Sequence, residues 1–214
     1  MFKNEDFFIF GVNYDNNNQN LSVWNKNGTL IKNINKSNFS KDNNFIEATY
    51  LENKSYILLS SRNYNQKTEY YSECYNYDED DIKTYKDDEN DSQVIKCMNL
   101  YKKGNDIYLI TGSKEKVNIF EFYTTKLKRR IQLGANFVNS LCSINEKYVI
   151  ASNSSKLKII DMEKYSVVKE YSAYYNCEEN DDNYEINGIE KIKIPEKGEF
   201  IITYSQNTIR IWKM

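Results

Sequence analysis

The sequence predicts an all-β chain built from copies of one antiparallel hairpin, and three observations carry that prediction. Three segments align without a gap: Tyr108–Glu121 (YLITGSKEKVNIFE), Tyr148–Asp161 (YVIASNSSKLKIID) and Phe200–Lys213 (FIITYSQNTIRIWK). A fourth copy, FFIFG at Phe7–Gly11 and LSVWN at Leu21–Asn25, matches them with a turn lengthened by Asn and Gln. The last apolar positions of the copies, Trp24, Phe120, Ile160 and Trp212, are separated by 96, 40 and 52 residues. A unit of about 40–45 residues made of four short strands has the period of a β-propeller blade.

Each half of a copy reads as a strand for its own reason. Tyr148, Val149 and Ile150 form a short apolar run, as expected of a strand covered on both faces. Asn153–Ser155 then supply a polar turn, because Asn and Ser offer local hydrogen bonds. The second half alternates: Leu21, Val117, Leu157 and Ile209 align, as do Val23, Ile119, Ile159 and Ile211. Ser22, Asn118, Lys158 and Arg210 lie between them, so one face of the strand is apolar and the other wetter. On this reading Ile119, Ile159 and Ile211 are all buried.

In chain order, Phe7–Gly11 and Leu21–Asn25 are the second and third strands of a first blade. Thr29–Ile34 is an outer strand, and Phe45–Leu51 and Tyr56–Ser61 are two more. Val94–Tyr101, Ile107–Thr111, Val117–Phe122 and Leu127–Leu133 form the clearest module. Phe137–Ile144, Tyr148–Ser152, Leu157–Met162 and Ser166–Tyr171 repeat it, and Gly188–Ile194, Phe200–Tyr204 and Thr208–Trp212 close the chain. The 96-residue separation is about two periods, so a third strand is hidden between 62 and 92; YYSECYNY at 70–77 is the candidate.

At the residue level the chain resembles the WD-repeat family. TIRIWKM at 208–214 looks like the end of that repeat's third strand, and Ile110-Thr-Gly-Ser113 resembles its Ala-Ser-Gly-Ser segment. Where the family usually has Trp-Asp, the copies read Trp24-Asn25, Phe120-Glu121, Ile160-Asp161 and Trp212-Lys213. The chain has no histidine, so the family's Gly-His dipeptide and its buried Asp–His–Ser/Thr–Trp hydrogen-bond network are absent. The resemblance implies an all-β propeller of about four to five four-stranded blades, incomplete or open, occupying 1–214 as one domain. An open arc of this kind is expected to expose a sheet edge and an apolar blade face. It fits a piece of a longer gene product, or a propeller completed by a partner's blade.

Composition narrows the function. The formal charge of −2 over 214 residues gives no global attraction to nucleic acid, so none is expected as a partner. Without a histidine there is no Ser–His–Asp or Cys–His arrangement, and the seven glycines form no phosphate loop. Cys74, Cys97, Cys142 and Cys177 are widely spaced, which reads as reduced thiols in a cytoplasmic or nuclear protein, with no metal and no cofactor. No apolar run approaches the roughly 18 residues needed to span a bilayer, and the start lacks a secretory pattern. The expectation is an intracellular, non-enzymatic scaffold whose variable loops bind other proteins as part of a larger complex.

Two acidic segments interrupt the repeats, at about 62–92 and 174–186. Asp78–Asp91 carries eight carboxylates against Lys83 and Lys86, and Cys177–Glu185 carries five more. Charge of that density predicts mobile, solvated loops, with a docking strip for a basic partner, or a weak cation site, as the functional reading. The opposite charge gathers in Lys126, Lys128, Arg129 and Arg130. On a regular strand Lys126, Lys128 and Arg130 share one face, and Leu127, Arg129 and Ile131 the other. An edge strand so decorated resists aggregation. The alternative is a phosphoinositide site at 126–130, as in the autophagy propellers of similar blade plan; their Arg-Arg-Gly motif is not met, so membrane lipid is the less favoured partner.

Overall fold

The computed structural model describes residues 12–15, 18–24, 27–34, 42–63, 69–87, 93–172, 185–206 and 208–213, and every regular element among them is a strand. The chain divides into two compact units, Met1–Ser92 and Gln93–Met214. In the first, β1 (Val12–Asp15), β2 (Asn18–Trp24) and β3 (Leu30–Ile34) form one antiparallel sheet in sequence order. β4 (Asp42–Leu51), β5 (Lys54–Asn63), β6 (Glu69–Asn76) and β7 (Asp81–Tyr85) form a second.

The second unit contains β8 (Cys97–Lys103), β9 (Asp106–Gly112), β10 (Lys114–Glu121), β11 (Leu127–Ser143), β12 (Tyr148–Asn153), β13 (Lys156–Asp161) and β14 (Ser166–Ser172). Their sheet is continuous only because β11 is 17 residues long and serves twice. Its first part pairs with β10 as an outer strand, and its last part pairs with β12 as an inner one. Gly134, at φ +103°, sits between the two parts in a conformation that favours glycine. β15 (Gly188–Ile194), β16 (Gly198–Tyr204) and β17 (Ile209–Lys213) form a separate three-stranded sheet. The described strands thus make five successive modules, three of them four-stranded.

The hidden strand lies where the sequence placed it. YYSECYNY overlaps β6, and Tyr75 occupies the position of Phe120, dividing the 96-residue separation into 51 and 45. Other expectations are corrected. Phe7–Gly11 lies outside the described residues, and the segment expected to be a long turn is paired strand: Val12 faces Leu21 and Asp15 faces Asn18. Asn tolerates this because the strand needs only its backbone groups in the ladder.

The stretch at 62–92 is not simply a solvated insertion, since it supplies β6 and β7. The acidic turn between them is pinned from both sides. Asn76 Oδ1 accepts the amides of Asp78 (3.1 Å) and Glu79 (3.2 Å), and Asp78 accepts the Ser55 amide at 2.6 Å. Lys54 pairs with Glu79, and Lys32 donates to Asp80 at 3.1 Å and to the Tyr75 hydroxyl at 3.0 Å. Local partners thus offset the mutual repulsion that the composition emphasised. Most of 174–186 lies outside the described residues, but Ile186 is fully buried.

The pinned turn makes stability depend on pH. The Tyr75 hydroxyl, and then Lys32, hold the Asp80 carboxyl below its ordinary value. A lowered folded value means that its stabilisation is full above the ordinary carboxylate range and is lost as pH falls through the lowered value. Lys32 is raised, chiefly by its bond to Tyr75, so its share is lost only as pH rises through that raised value. Thermal melts of wild type and Asp80→Asn should therefore differ most near neutrality and converge in acid. Equal melting temperatures at neutral pH would show the turn to be energetically idle.

One packing rule runs through both units. Strand alternation gives each module a front face, on which Tyr108, Ile110, Val117 and Ile119 lie, and a back face, on which Leu109 and Phe120 lie. In the second unit the front of β8–β10 packs Ile110, Val117 and Ile119 against Val149, Ala151 and Ile160 on the back of β11–β14. The front of β11–β14 in turn packs Ile150 and Leu157 against Ile201 and Trp212 on the back of β15–β17. In the first unit the front of β1–β3, with Val23 and Ile34, packs on Ile57, Leu59 and Tyr75 from the back of β4–β7. Front meets back each time.

The same rule explains the failed burial expectation. Ile119 is 0% exposed and Ile159 partly buried, but Ile211 is 64% exposed. It lies on the front of β15–β17, and no following sheet covers it among the described residues. Alternation was read correctly there; the neighbour was missing.

Candidate interaction surface

The position that follows the last core residue of a copy has a local task. Asp161 Oδ1 accepts the amides of Glu163 (2.8 Å) and Lys164 (3.0 Å), closing the turn from β13 to β14. Those two amides hold the carboxyl below its ordinary value. Asn76 closes the β6–β7 turn in the same way. At the corresponding turn of β10, Glu121 instead accepts from the Thr124 hydroxyl at 2.8 Å, and the Thr125 amide donates to the Glu121 carbonyl at 2.9 Å. An acceptor at this site lets the strands return tightly while the turn residues remain free to vary.

One of these turns borders a shallow open cleft of about 230 Å³, lined by residues 105–108, 121–124 and Lys128. Lys128 Nζ donates to the Tyr108 hydroxyl at 2.9 Å, and that hydroxyl lies 3.2 Å from Asp106 Oδ2. Glu121 stands 3.9 Å from the same ammonium. The bond to Tyr108 raises the Lys128 ammonium above its ordinary value, which keeps it charged. Tyr123 is 61% exposed at the rim, its ring edge-on to buried Phe122 with 5.3 Å between centroids. The cleft thus offers two carboxylates, one cation and an exposed aromatic ring on a turn fixed by strands.

Of the four basic residues singled out in the sequence, Lys126 directly precedes β11 and Lys128, Arg129 and Arg130 lie at its start, but they diverge. A bulge is responsible: Ile119 faces Arg129 while Phe120 faces Leu127, which leaves Lys128 out of register. Lys128 turns to Tyr108, and the Arg129 guanidinium lies 5.8 Å from the Tyr165 ring centroid. Arg130 Nε donates to Asn118 at 3.3 Å, and Lys126 is exposed. Only Lys128 reaches the cleft. Sequence reasoning missed Asp106 and Tyr123; the turn residues after the repeated Glu121 position were the available signal.

Among the described residues, no group of three or more His, Cys, Asp or Glu side chains could hold a metal ion, and Cys74, Cys97 and Cys142 are buried free thiols. Burial pushes the Cys74 thiol well above its ordinary value, so it is held in the unreactive protonated form. No helix among the described residues is long and apolar enough to cross a membrane.

Strand order, period and front-to-back packing together define a β-propeller fold of the WD-repeat type. The structure is similar to the solved WD40 β-propeller domain of Doa1, with a TM-score of 0.61 over 94% of this chain and 16% identity. The chain spans 62% of that protein's chain, and at this identity the likeness speaks for the fold alone. No family model and no curated protein matches the sequence. Within β15–β17, Trp212 Nε1 donates to buried Thr203 Oγ1 at 3.0 Å.

Proposed function

We propose that this chain is a non-enzymatic scaffold, a WD-repeat-like subunit of a larger intracellular complex that recognises other proteins through its inter-strand turns. The observation that carries the reading is Tyr123, a largely exposed ring on a rigid turn beside the Asp106–Lys128–Glu121 cleft. An exposed aromatic next to oriented charges is the surface from which protein-recognition hot spots are built. The fold supports the reading at the coarse level, since WD40 propellers commonly bind proteins through loops held on rigid strands. The phosphoinositide alternative draws less support, because three of the four cations at 126–130 are turned to separate partners within the chain.

Affinity purification from the native cell, with quantitative mass spectrometry, tests the proposal. Wild type should retain a defined set of proteins, and Tyr123→Ala should lose at least about tenfold of it, a hot-spot-sized effect. Its melting temperature should be unchanged. An identical protein set for both would overturn the role of this cleft.

A further inference from the structure

The packing rule assigns an occupant to a face that the scaffold reading leaves unused. In three sheet-on-sheet contacts, one in the first unit and two in the second, the front of one module is covered by the back of the next. The front of β15–β17 has the same chemistry as the covered ones. Ile209 occupies the place of Val117 and Leu157, Ile211 that of Ile119 and Ile159, and Ile202 that of Ile110 and Ile150. Yet Ile209 is 72% exposed, Ile211 64% and Tyr204 39%.

A matching back face is also open, on β1–β3. Val23, Lys32 and Ile34 mark its front, so Ser22, Asn33 and Ile31 point the other way, where Ser22 donates to Asn33 at 2.8 Å. A register shift beside Val23 places Leu30 opposite half-buried Trp24 on that side. Leu30 is 42% exposed and Ile31 45%. Five of the eight exposed large apolar side chains among the described residues therefore lie on these two faces. Removing contiguous apolar surface from water favours association, and isolated exposed side chains would not concentrate in this way.

We propose that the front of β15–β17 in one copy binds the back of β1–β3 in a second copy, head to tail, continuing between molecules the order seen within each unit. The contact is heterologous: each copy offers one donor face and one acceptor face. Assembly then runs to a ring if the rotation closes and to an open chain of copies if it does not.

Light scattering on the 214-residue chain, from about 1 to about 100 µM, the range of ordinary weak association, tests this. The mass of wild type should rise with concentration above that of one chain. Ile211→Lys and Ile31→Lys alter exposed positions, so both should fold, as circular dichroism will report, and each alone should remain monomeric. Mixed together they should give a species of twice the monomer mass and nothing larger, because one functional face remains on each. Ile209→Lys should behave as Ile211→Lys does. A wild type that stays monomeric throughout would overturn the proposal, as would assembly unaffected by either lysine. Assembly abolished by one lysine but not by the other would mean that like faces meet, which overturns the head-to-tail arrangement, as would a mixture that fails to pair when wild type assembles and each variant alone does not.

Discussion

Placing Asp at the three aligned isoleucines should give three widely different losses of stability. Ile119→Asp puts a carboxylate on the front of β10, 0% exposed, in an apolar cluster with Val149 and Ile160. The lost apolar burial and the desolvated charge together should cost on the order of 4 kcal/mol or more. That is a large part of the roughly 5–15 kcal/mol available to a domain, so the second unit should unfold or barely hold. Ile159→Asp should be intermediate, because Ile159 is partly buried against the cluster of Ile150, Leu157 and Ile201. Ile211→Asp, at 64% exposure, should fall within about 0.5 kcal/mol of wild type in dilute solution. Urea denaturation of the three variants at one low concentration measures the order. Equal losses at 119 and 211 would mean that the terminal front face is covered.

The same three positions show what was legible in the sequence. Alternation identifies which side chains share a face, and it was right for all three. Coverage depends on whether another sheet follows, and no local pattern carries that. Tyr75 illustrates the converse: its segment lacks the aliphatic alternation of the other copies, yet period alone located it, because a blade must supply a third strand about every 40–50 residues. The acidic turn misled because composition counts Asp78, Glu79 and Asp80 as like charges. Their partners Lys54, Ser55 and Lys32 arrive from strands 23 to 48 residues away in the chain. The basic run misled for a geometric reason: face assignment assumes an unbroken strand, and one bulged residue, Lys128, sends its neighbours to different partners. Period and face survive translation into three dimensions, whereas bulges and long-range partners do not announce themselves.

Gly112→Ala should destabilise the second unit by about 1–3 kcal/mol, the cost of forcing a methyl into a close-packed site. An added Cβ would lie 2.5 Å from Cys97 Sγ, 2.7 Å from Val138 Cγ1 and 2.9 Å from Val138 Cβ. None of these can retreat easily. Val138 is fully buried, its amide donates to the Ser113 carbonyl at 2.9 Å, and its carbonyl accepts from the Cys97 thiol at 3.2 Å. Gly112 faces Val117 across the ladder and lies on the front of its module, so the added methyl pushes directly against the back of the next one. Gly188→Ala provides the control. An added Cβ there would overlap the Tyr204 ring even more severely, but that ring is 39% exposed on the open front face and can rotate into solvent. Its cost should stay below about 1 kcal/mol, the scale of an ordinary point change. Combining Gly112→Ala with Val138→Ala should cost less than the sum of the two single changes, because the shortened side chain makes room for the new methyl. Strict additivity in that cycle would place the Gly112 effect in the backbone of β9 or in its contact with Cys97 of the same sheet, rather than in the contact between modules.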